Sequence, residues 1–208
     1  MNRVYIVCEG PTEERFIKDL LAPYLMQHGV YVTPICVRGV SKLSIIKKRI
    51  SDLCKMDRSA FVSMMFYYYA FPIKDLDCKY NEGDLLSTVM NYENAIKDSV
   101  GEDNFIPNLV IHEFEGLLFS DVNKFECCMN SKQISDAEAI RKEFATPEHI
   151  NQGYDTAPSR RIKKLFPEYN KVIDGTRIAQ RIGVEIICEE CKHFGKWVDT
   201  LERLCSNQ

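Results

Sequence analysis

The sequence predicts an α/β protein with a mostly parallel central sheet, helices on both faces and a helical C-terminal extension. In the first half of the chain, short apolar runs alternate with helix-like segments, an order that is typical of parallel sheets. After Asp121, only short helical patterns separated by polar turns follow. We therefore expect a core in residues 1–121 and an extension in residues 122–208 that packs on the core as one unit.

Each strand is predicted from a short run rich in apolar and aromatic residues. These runs are residues 4–7, 31–37, 61–69 and 106–112. Helices are predicted where apolar residues recur at helical spacing, and Pro23 is expected to kink the first helix. The predicted helices are 13–26, 41–55 and 84–97 in the core, then 135–144, 157–166, 176–182 and 184 onward in the extension.

Composition limits the classes of function. The net charge of -3 gives no global attraction to nucleic acid, so any site for a polyanion must be local. No apolar run approaches the roughly 20 residues that cross a bilayer, and the N-terminus lacks a secretory pattern, so we expect a cytoplasmic protein without a membrane partner. The nine cysteines are an odd number and several lie in apolar segments, which predicts reduced thiols.

Acidic residues follow the first predicted strand in the stretch EGPTE. Glu9 and Glu13 lie four residues apart across a strand-to-helix turn. Carboxylate oxygens there would suit Mg²⁺ or Mn²⁺ bridging a phosphate. The alternative is that the acidic side chains only complement the start of a helix, with Thr12 as its cap.

A second acidic group follows the fourth predicted strand in IHEFEGLLFSD. His112, Glu113, Glu115 and Asp121 are more ionisable groups than a buried run needs for packing. A hard metal ion or an arginine from the extension would compensate their charge. Because ligands of parallel sheets bind at the carboxyl ends of strands, Glu9, residues 67–69 and residues 112–115 should face one crevice. The alternative is a solvated helix start.

A basic stretch in the extension, APSRRIKKLF, predicts an anion site. Ser159 stands at a helix start and is followed by Arg160, Arg161 and Lys163, a combination suited to phosphate. The alternative is a solvated basic face. Residues 47–49 form a weaker candidate of the same kind. Cys188, Cys191 and His193 give only a weak zinc signal, because no second ligand pair follows at finger spacing.

The stretches EGPTEERF, HEFEGLLF with Asp121, APSRR and CKHFGKW, in this order, resemble a bacterial family of unknown function with a TOPRIM-like, Rossmann-like core. That core is shared with topoisomerase-primase domains and with the nuclease domain of overcoming-lysogenization-defect proteins. The resemblance implies that Glu9 and Glu13 bind Mg²⁺ for phosphodiester or phosphoryl transfer. It also implies an ATPase partner and a role in phage defence.

The sequence departs from this pattern after the third strand. Tyr67, in MMFYYYAFP, stands where the resemblance implies an aspartate, and a phenol is a poor ligand for a hard metal ion at neutral pH. Asp75 or Asp77 would have to compensate. Cys188 and Lys192 also depart from the pattern, where it has an arginine and a proline.

Three hypotheses follow. The first is a TOPRIM-like, Mg²⁺-dependent nuclease or phosphodiesterase, the effector of an ATPase-coupled defence system. Its metal would bind Glu9 and Glu13 with help from Glu113, Glu115 or Asp121. Phosphate would bind the basic stretch, His112 would relay a proton, and Tyr67, Tyr68 and Tyr69 would stack a base. The second is an inactive nucleotide- or partner-binding module that regulates an ATPase. The third is a scaffold whose carboxylates pair with arginines of the extension.

Overall fold

The computed structural model describes residues 2–39, 42–76, 84–151 and 153–205. The strands are β1 (Asn2–Cys8), β2 (Val30–Cys36), β3 (Phe61–Tyr67), β4 (Phe105–Ile106) and β5 (Leu109–Val110). The core helices are α1 (Pro11–Phe16), α2 (Ala22–Gln27), α3 (Leu43–Met56), α4 (Leu85–Val100) and α5 (Phe114–Leu118). The extension contains α6 (Ser131–Lys142), α7 (Pro158–Leu165), α8 (Thr176–Ile182), α9 (Val184–Glu190) and α10 (Lys192–Glu202).

The strands form one parallel sheet in the order β2-β1-β3-β4, and β5 pairs with β3 further along that strand. Helices cover both faces of the sheet. The predicted fold class, a parallel α/β core followed by a helical C-terminal region, is therefore confirmed. All carboxyl ends of the strands lie at one edge, which is where ligands of such sheets bind.

Two hydrophobic clusters fill the two faces. One packs α3 and α4 against alternate residues of β3, namely Val62, Met64 and Phe66. The other joins the opposite face of the sheet to α1 and to the extension, from Ile6 through to Trp197. Because both of its faces are buried, the central strand β3 is almost continuously apolar, whereas the edge strand β2 has exposed Tyr31 and Thr33 in alternation. The extension thus packs directly on the core.

Three elements differ from their predictions. The fourth predicted strand is split into β4 and β5, because Pro107 between them has no N–H for the sheet ladder. The first helix contains a π-helical turn, Ile17–Leu21, where the N–H of Ala22 donates to the carbonyl of Ile17. This turn lies just before Pro23, which cannot donate to a carbonyl one turn back.

The predicted C-terminal helix is broken into α9 and α10 at Cys191. Buried Glu148 causes the break: its carboxylate accepts hydrogen bonds from the N–H groups of His193 and Phe194, both at 3.0 Å. Gly195 lets α10 approach α9, because a Cβ there would lie 2.6 Å from the carbonyl oxygen of Cys188. Three residues with predictions lie outside the described residues: Ser41 at the start of the second predicted helix, Asp77 as a possible compensation for Tyr67, and Cys78 among the cysteines predicted to be reduced. Within the described residues, no helix is long and apolar enough to cross a membrane.

Candidate functional site

Two cavities at the carboxyl edge of the sheet form the candidate site. The acidic cavity, of about 590 Å³, is lined by Glu9, Gly10, Pro11, Thr12, Glu13, Glu14, Cys36, Arg38, Gly39, Tyr67 and Lys171. The basic cavity, of about 400 Å³, is lined by Glu113, Glu115, Ala157, Ser159, Arg160, Lys163, Tyr169 and Lys171. Lys171 lines both, so the two cavities adjoin at its side chain.

Glu13 is fixed in the acidic cavity by its place in the first turn of α1. Its Oε2 accepts a hydrogen bond from the N–H of Gly10 at 2.9 Å, the capping-box contact that closes the helix start. Its Oε1 accepts a hydrogen bond from the hydroxyl of Tyr67. Burial raises the pKa of the Glu13 carboxyl, although the charge of Lys171 and hydrogen bonds from backbone N–H groups oppose the rise.

Glu9 follows β1 directly and has unmet bonding capacity. Its Oε2 is buried and has no hydrogen-bond partner among the described residues. Burial raises the pKa of the Glu9 carboxyl, and the negative charge of Glu13 raises it further, while Lys171 lowers it. The carboxylates of Glu9 and Glu13 thus both depend on one nearby cation, the ammonium of Lys171.

Glu115 is fully buried in the first turn of α5. Its Oε2 lies 3.3 Å from the Nζ of Lys171, but neither carboxylate oxygen has a hydrogen-bond partner in the described part of the chain. Burial raises the pKa of the Glu115 carboxyl, Lys171 lowers it and the charge of Glu113 raises it. The hydroxyl of Tyr169, in the same cavity, is also buried without such a partner, and burial raises its pKa.

Lys171 was not predicted and is the residue that joins the site. It follows Asn170, whose side chain accepts from the N–H groups of Val172 and Ile173 and so starts a short π-helical turn. The ammonium lies 4.6 Å above the ring centroid of Tyr67. A single lysine in a polar turn carries no sequence signal of this role, because the turn reaches the sheet edge only through tertiary packing.

The basic cavity contains part of the predicted phosphate site. Arg160, Lys163 and Ser159 line it as the sequence predicts. The N-terminus of α7, however, already has an anionic partner: the N–H of Ser159 donates to Oε2 of Glu113 at 3.0 Å. Glu113 therefore caps the start of α7 through this N–H group, and the side chains of Arg160 and Lys163 line the cavity beside it.

Arg161 lies away from this cavity, contrary to its prediction as a phosphate-binding residue. Its Nε donates to the carbonyl of Thr156 at 2.8 Å, and its guanidinium lies over the ring of Phe144. Asp121 likewise does not join the acidic residues: it caps a short helix by accepting from the N–H of Asn123 at 3.1 Å. Local capping and packing thus explain both residues.

His112 lines neither the acidic nor the basic cavity. It is 3% exposed, and its Nδ1 lies 3.3 Å from the Nδ2 of Asn151. Burial lowers the pKa of His112 to about 4, with a further contribution from the charge of His149. Burial thus favours the neutral imidazole, and the predicted proton relay through His112 stays a prediction.

The three tyrosines after β3 have different surroundings. Tyr67 and Tyr68 are each 7% exposed, whereas Tyr69 is 62% exposed. Only Tyr69 of the three presents a ring to solvent. Asp75, expected to compensate for Tyr67, lines a different cavity, beside Tyr69. Of the predicted metal ligands, Glu9 and Glu13 line the acidic cavity, whereas Glu115 lines the basic cavity.

A divalent metal ion in this region would need carboxylate ligands from the described residues. Within residues 2–39, 42–76, 84–151 and 153–205, no three His, Cys, Asp or Glu side chains converge as ready-made ligands. Mg²⁺, however, commonly binds through one or two carboxylates plus waters and substrate phosphates. Glu9 and Glu13 line the acidic cavity, and Oε2 of Glu9 has no hydrogen-bond partner among the described residues. These carboxylate oxygens are of the type that such an ion takes, so the donor set fits Mg²⁺ or Mn²⁺.

A family model described as a domain of unknown function, DUF4276, matches residues 8–202. No curated protein matches the chain. Two solved structures of the C-terminal region of the OLD protein of Xanthomonas campestris pv. campestris are similar. The mercury-phased one has a TM-score of 0.48 and 12% identity over 98% of this chain and 96% of that chain. The platinum-phased one has a TM-score of 0.47 and 13% identity over 99% and 94%.

Proposed function

Starting from the fact that the chain belongs to the DUF4276 family, a domain of unknown function, we propose that it is a divalent-metal-dependent phosphodiesterase that acts on nucleic acid. One observation carries the proposal. The acidic cavity contains the buried Oε2 of Glu9, which has no hydrogen-bond partner among the described residues; it adjoins the basic cavity, and Lys171 lines both. Metal-assisted cleavage of a phosphodiester needs this pair of environments side by side.

The charge balance of the site supports a divalent ion. Glu9, Glu13 and Glu115 surround one ammonium group, that of Lys171. If all are ionised, two negative charges remain in a buried place, and burial of unpaired charge is costly. Protons can neutralise them, as the raised pKa values indicate, or one divalent cation can. Glu9 and Glu13 would hold that ion, with Glu115 on the far side of Lys171.

When bound, the ion would supply Lewis acidity at a phosphoryl oxygen and lower the pKa of a bound water. The side chains of this protein contribute binding and orientation. Arg160, Lys163 and Lys171 provide cationic donors for the phosphate of the substrate. Tyr67 holds Glu13 through its hydroxyl and carries Lys171 on its ring face. The TOPRIM-like resemblance of EGPTE and HEFEG supports the same assignment of Glu9 and Glu13.

The test is cleavage of single- and double-stranded DNA and RNA in Mg²⁺, in Mn²⁺ and in EDTA. The wild type should cleave at least one substrate only with metal, and Glu9→Gln should lose cleavage because the metal loses a charged ligand. Asp121→Asn is the matched control: it changes an acidic residue outside the site and retains a good capping side chain. Equal activity of Glu9→Gln and wild type would refute the proposal.

A second candidate function is a non-catalytic nucleotide- or partner-binding module that regulates an ATPase. The observation that favours it is Tyr67, which fills the position of the expected aspartate and bonds to Glu13. This module would keep its affinity for nucleotides in EDTA, whereas the enzyme would lose metal-dependent turnover. A scaffold role, the third hypothesis, predicts that Glu9→Gln changes only stability. Co-purification with an ATPase tests the partner, and a phage-challenge assay tests the defence role, both of which rest on the resemblance.

A further inference from the structure

Tyr69 presents an exposed aromatic ring at the carboxyl edge of the sheet, just after β3. It lies in the turn after β3, and 62% of it is exposed. Its ring stacks on that of His112, with centroids 5.0 Å apart and planes at 11°. On another side it contacts Tyr68, at 5.2 Å and 54°. The ring is thus held by neighbours while much of its surface faces solvent.

The support beneath this ring is itself unusual. His112 has a φ of +67°, a left-handed conformation that is uncommon for residues other than glycine and that concentrates at functional sites. Asn151 contacts its Nδ1 at 3.3 Å and fixes the orientation of the imidazole. A residue of uncommon backbone conformation thus places a flat ring behind Tyr69.

The position of Tyr69 connects it to both cavities. Tyr67, two residues earlier, lines the acidic cavity. Glu113, the residue after His112, lines the basic cavity and caps Ser159. Tyr69 also forms one wall of a third cavity of about 400 Å³, whose other walls are Tyr68, Phe71, Pro72, Ile73, Lys74 and Asp75. Tyr69 thus joins an aromatic wall on one side to His112, the neighbour of the basic-cavity residue Glu113, on the other.

We propose that Tyr69 stacks a nucleobase of a single-stranded nucleic acid whose backbone phosphate lies in the basic cavity. The inference rests on the proposed function and narrows its substrate to single strands. The bases of a duplex are already stacked on each other, whereas a single strand can place a base against an exposed ring. Every base has a flat π face, so this contact selects strand form rather than sequence.

The experiment measures fluorescence anisotropy in EDTA with two labelled probes of equal charge: a short oligothymidylate and an abasic phosphodiester strand of the same length. The wild type should bind the base-containing probe more tightly by about 5- to 150-fold, the contribution of one stacked base. Tyr69→Ala should bind both probes equally, at the wild-type affinity for the abasic strand. Tyr69→Phe, which keeps the ring, should retain the preference.

Tyr31→Ala is the matched control, because Tyr31 is also an exposed tyrosine but lies on β2. It should retain the preference. Equal wild-type affinity for the two probes would overturn the inference and leave the proposed function standing. The inference would also be overturned if Tyr69→Ala lowered the affinity for both probes by the same factor, or if the wild type bound neither probe. Metal binding to Tyr69→Ala, measured separately by calorimetry, should match the wild type, so a failed metal site is told apart from a failed stacking site.

Discussion

Replacing Lys171 with methionine should destabilise the protein in a pH-dependent way. The substitution keeps most of the side-chain length but removes the ammonium that lies 3.3 Å from Oε2 of buried Glu115. It also removes the cation above the ring of Tyr67. Glu9 and Glu13 lose the same favourable charge, which lowers the pKa of each in the wild type.

The magnitude lies between two limits. Removing one partner of a fully buried ion pair costs about 3–5 kcal/mol, while an exposed pair contributes about 0.2–1 kcal/mol. The Glu115 side chain is 1% exposed but that of Lys171 is 35% exposed, so solvent screens part of the interaction. Adding about 0.5–1 kcal/mol for the cation–π contact, we expect a loss of about 2 kcal/mol at pH 8. For a chain of this size, that lowers Tm by about 4–8 °C.

The sign of the pH effect follows from the raised pKa of Glu115. Because its pKa is raised, folded Glu115 binds a proton more tightly than the unfolded chain does. The stabilisation from this proton is fully present below the ordinary carboxyl pKa of 4.5 and is lost as the pH rises through the folded-state pKa of Glu115. At low pH the carboxyl is protonated and does not need the ammonium of Lys171. The cost of Lys171→Met should therefore be small near pH 4.5 and should reach its full size only above the raised pKa.

Thermal unfolding at several pH values between 4.5 and 8, in EDTA, measures this difference. Lys164→Met is the control, because the ammonium of exposed Lys164 contacts only a backbone carbonyl, that of Asp155, at 3.3 Å among the bonds described. It should change Tm little at any pH. A loss for Lys171→Met that is equal at pH 4.5 and pH 8, or no loss at pH 8, would show that Lys171 does not compensate the buried carboxylates.

Three further outcomes are expected from urea unfolding. Gly195→Ala should cost about 1–3 kcal/mol, because its Cβ would lie 2.6 Å from the carbonyl oxygen of Cys188; an unchanged midpoint would contradict this contact. Trp197→Phe should cost about 0.5–1.5 kcal/mol by removing one indole hydrogen bond. For His193, burial alone would lower the pKa of the imidazole. The hydrogen bond to Glu93 and the charge of Glu93 outweigh burial, so the pKa of His193 is raised. The pair therefore stabilises the fold below about pH 6.5 and less as the pH rises through the raised pKa, and Glu93→Gln should flatten that dependence.

The sheet was predictable because its strands leave local signals. Residues 61–67 form an apolar and aromatic run interrupted only by Ser63, and such runs are typical of a strand buried on both faces. The end of β1 was equally readable, since Glu9 follows a buried strand and precedes the helix start at Pro11. In both places, neighbouring residues in sequence decide the structure.

The site was only partly predictable, because distant contacts decide which charged residues meet. Lys171 reaches the carboxylates through the packing of the extension, which no local pattern encodes. Arg161 and Arg160 are adjacent in sequence, yet Arg161 packs against Phe144 while Arg160 lines the basic cavity. The break at Cys191 depends on Glu148, more than forty residues earlier in the chain. Spacing alone cannot distinguish these outcomes.

The most direct test of the central claim is calorimetric titration of Mn²⁺ and Mg²⁺ into the wild type, Glu9→Gln and Asp121→Asn at pH 8. The account predicts saturable binding to the wild type and to Asp121→Asn, and loss of binding in Glu9→Gln. In a thermal scan at ten times Kd, the ion should stabilise the wild type by about 1.4 kcal/mol, or about 3–6 °C in Tm. If the wild type binds no metal at millimolar concentration, or if Glu9→Gln binds it as well as the wild type, the carboxylates of this site do not hold a metal ion.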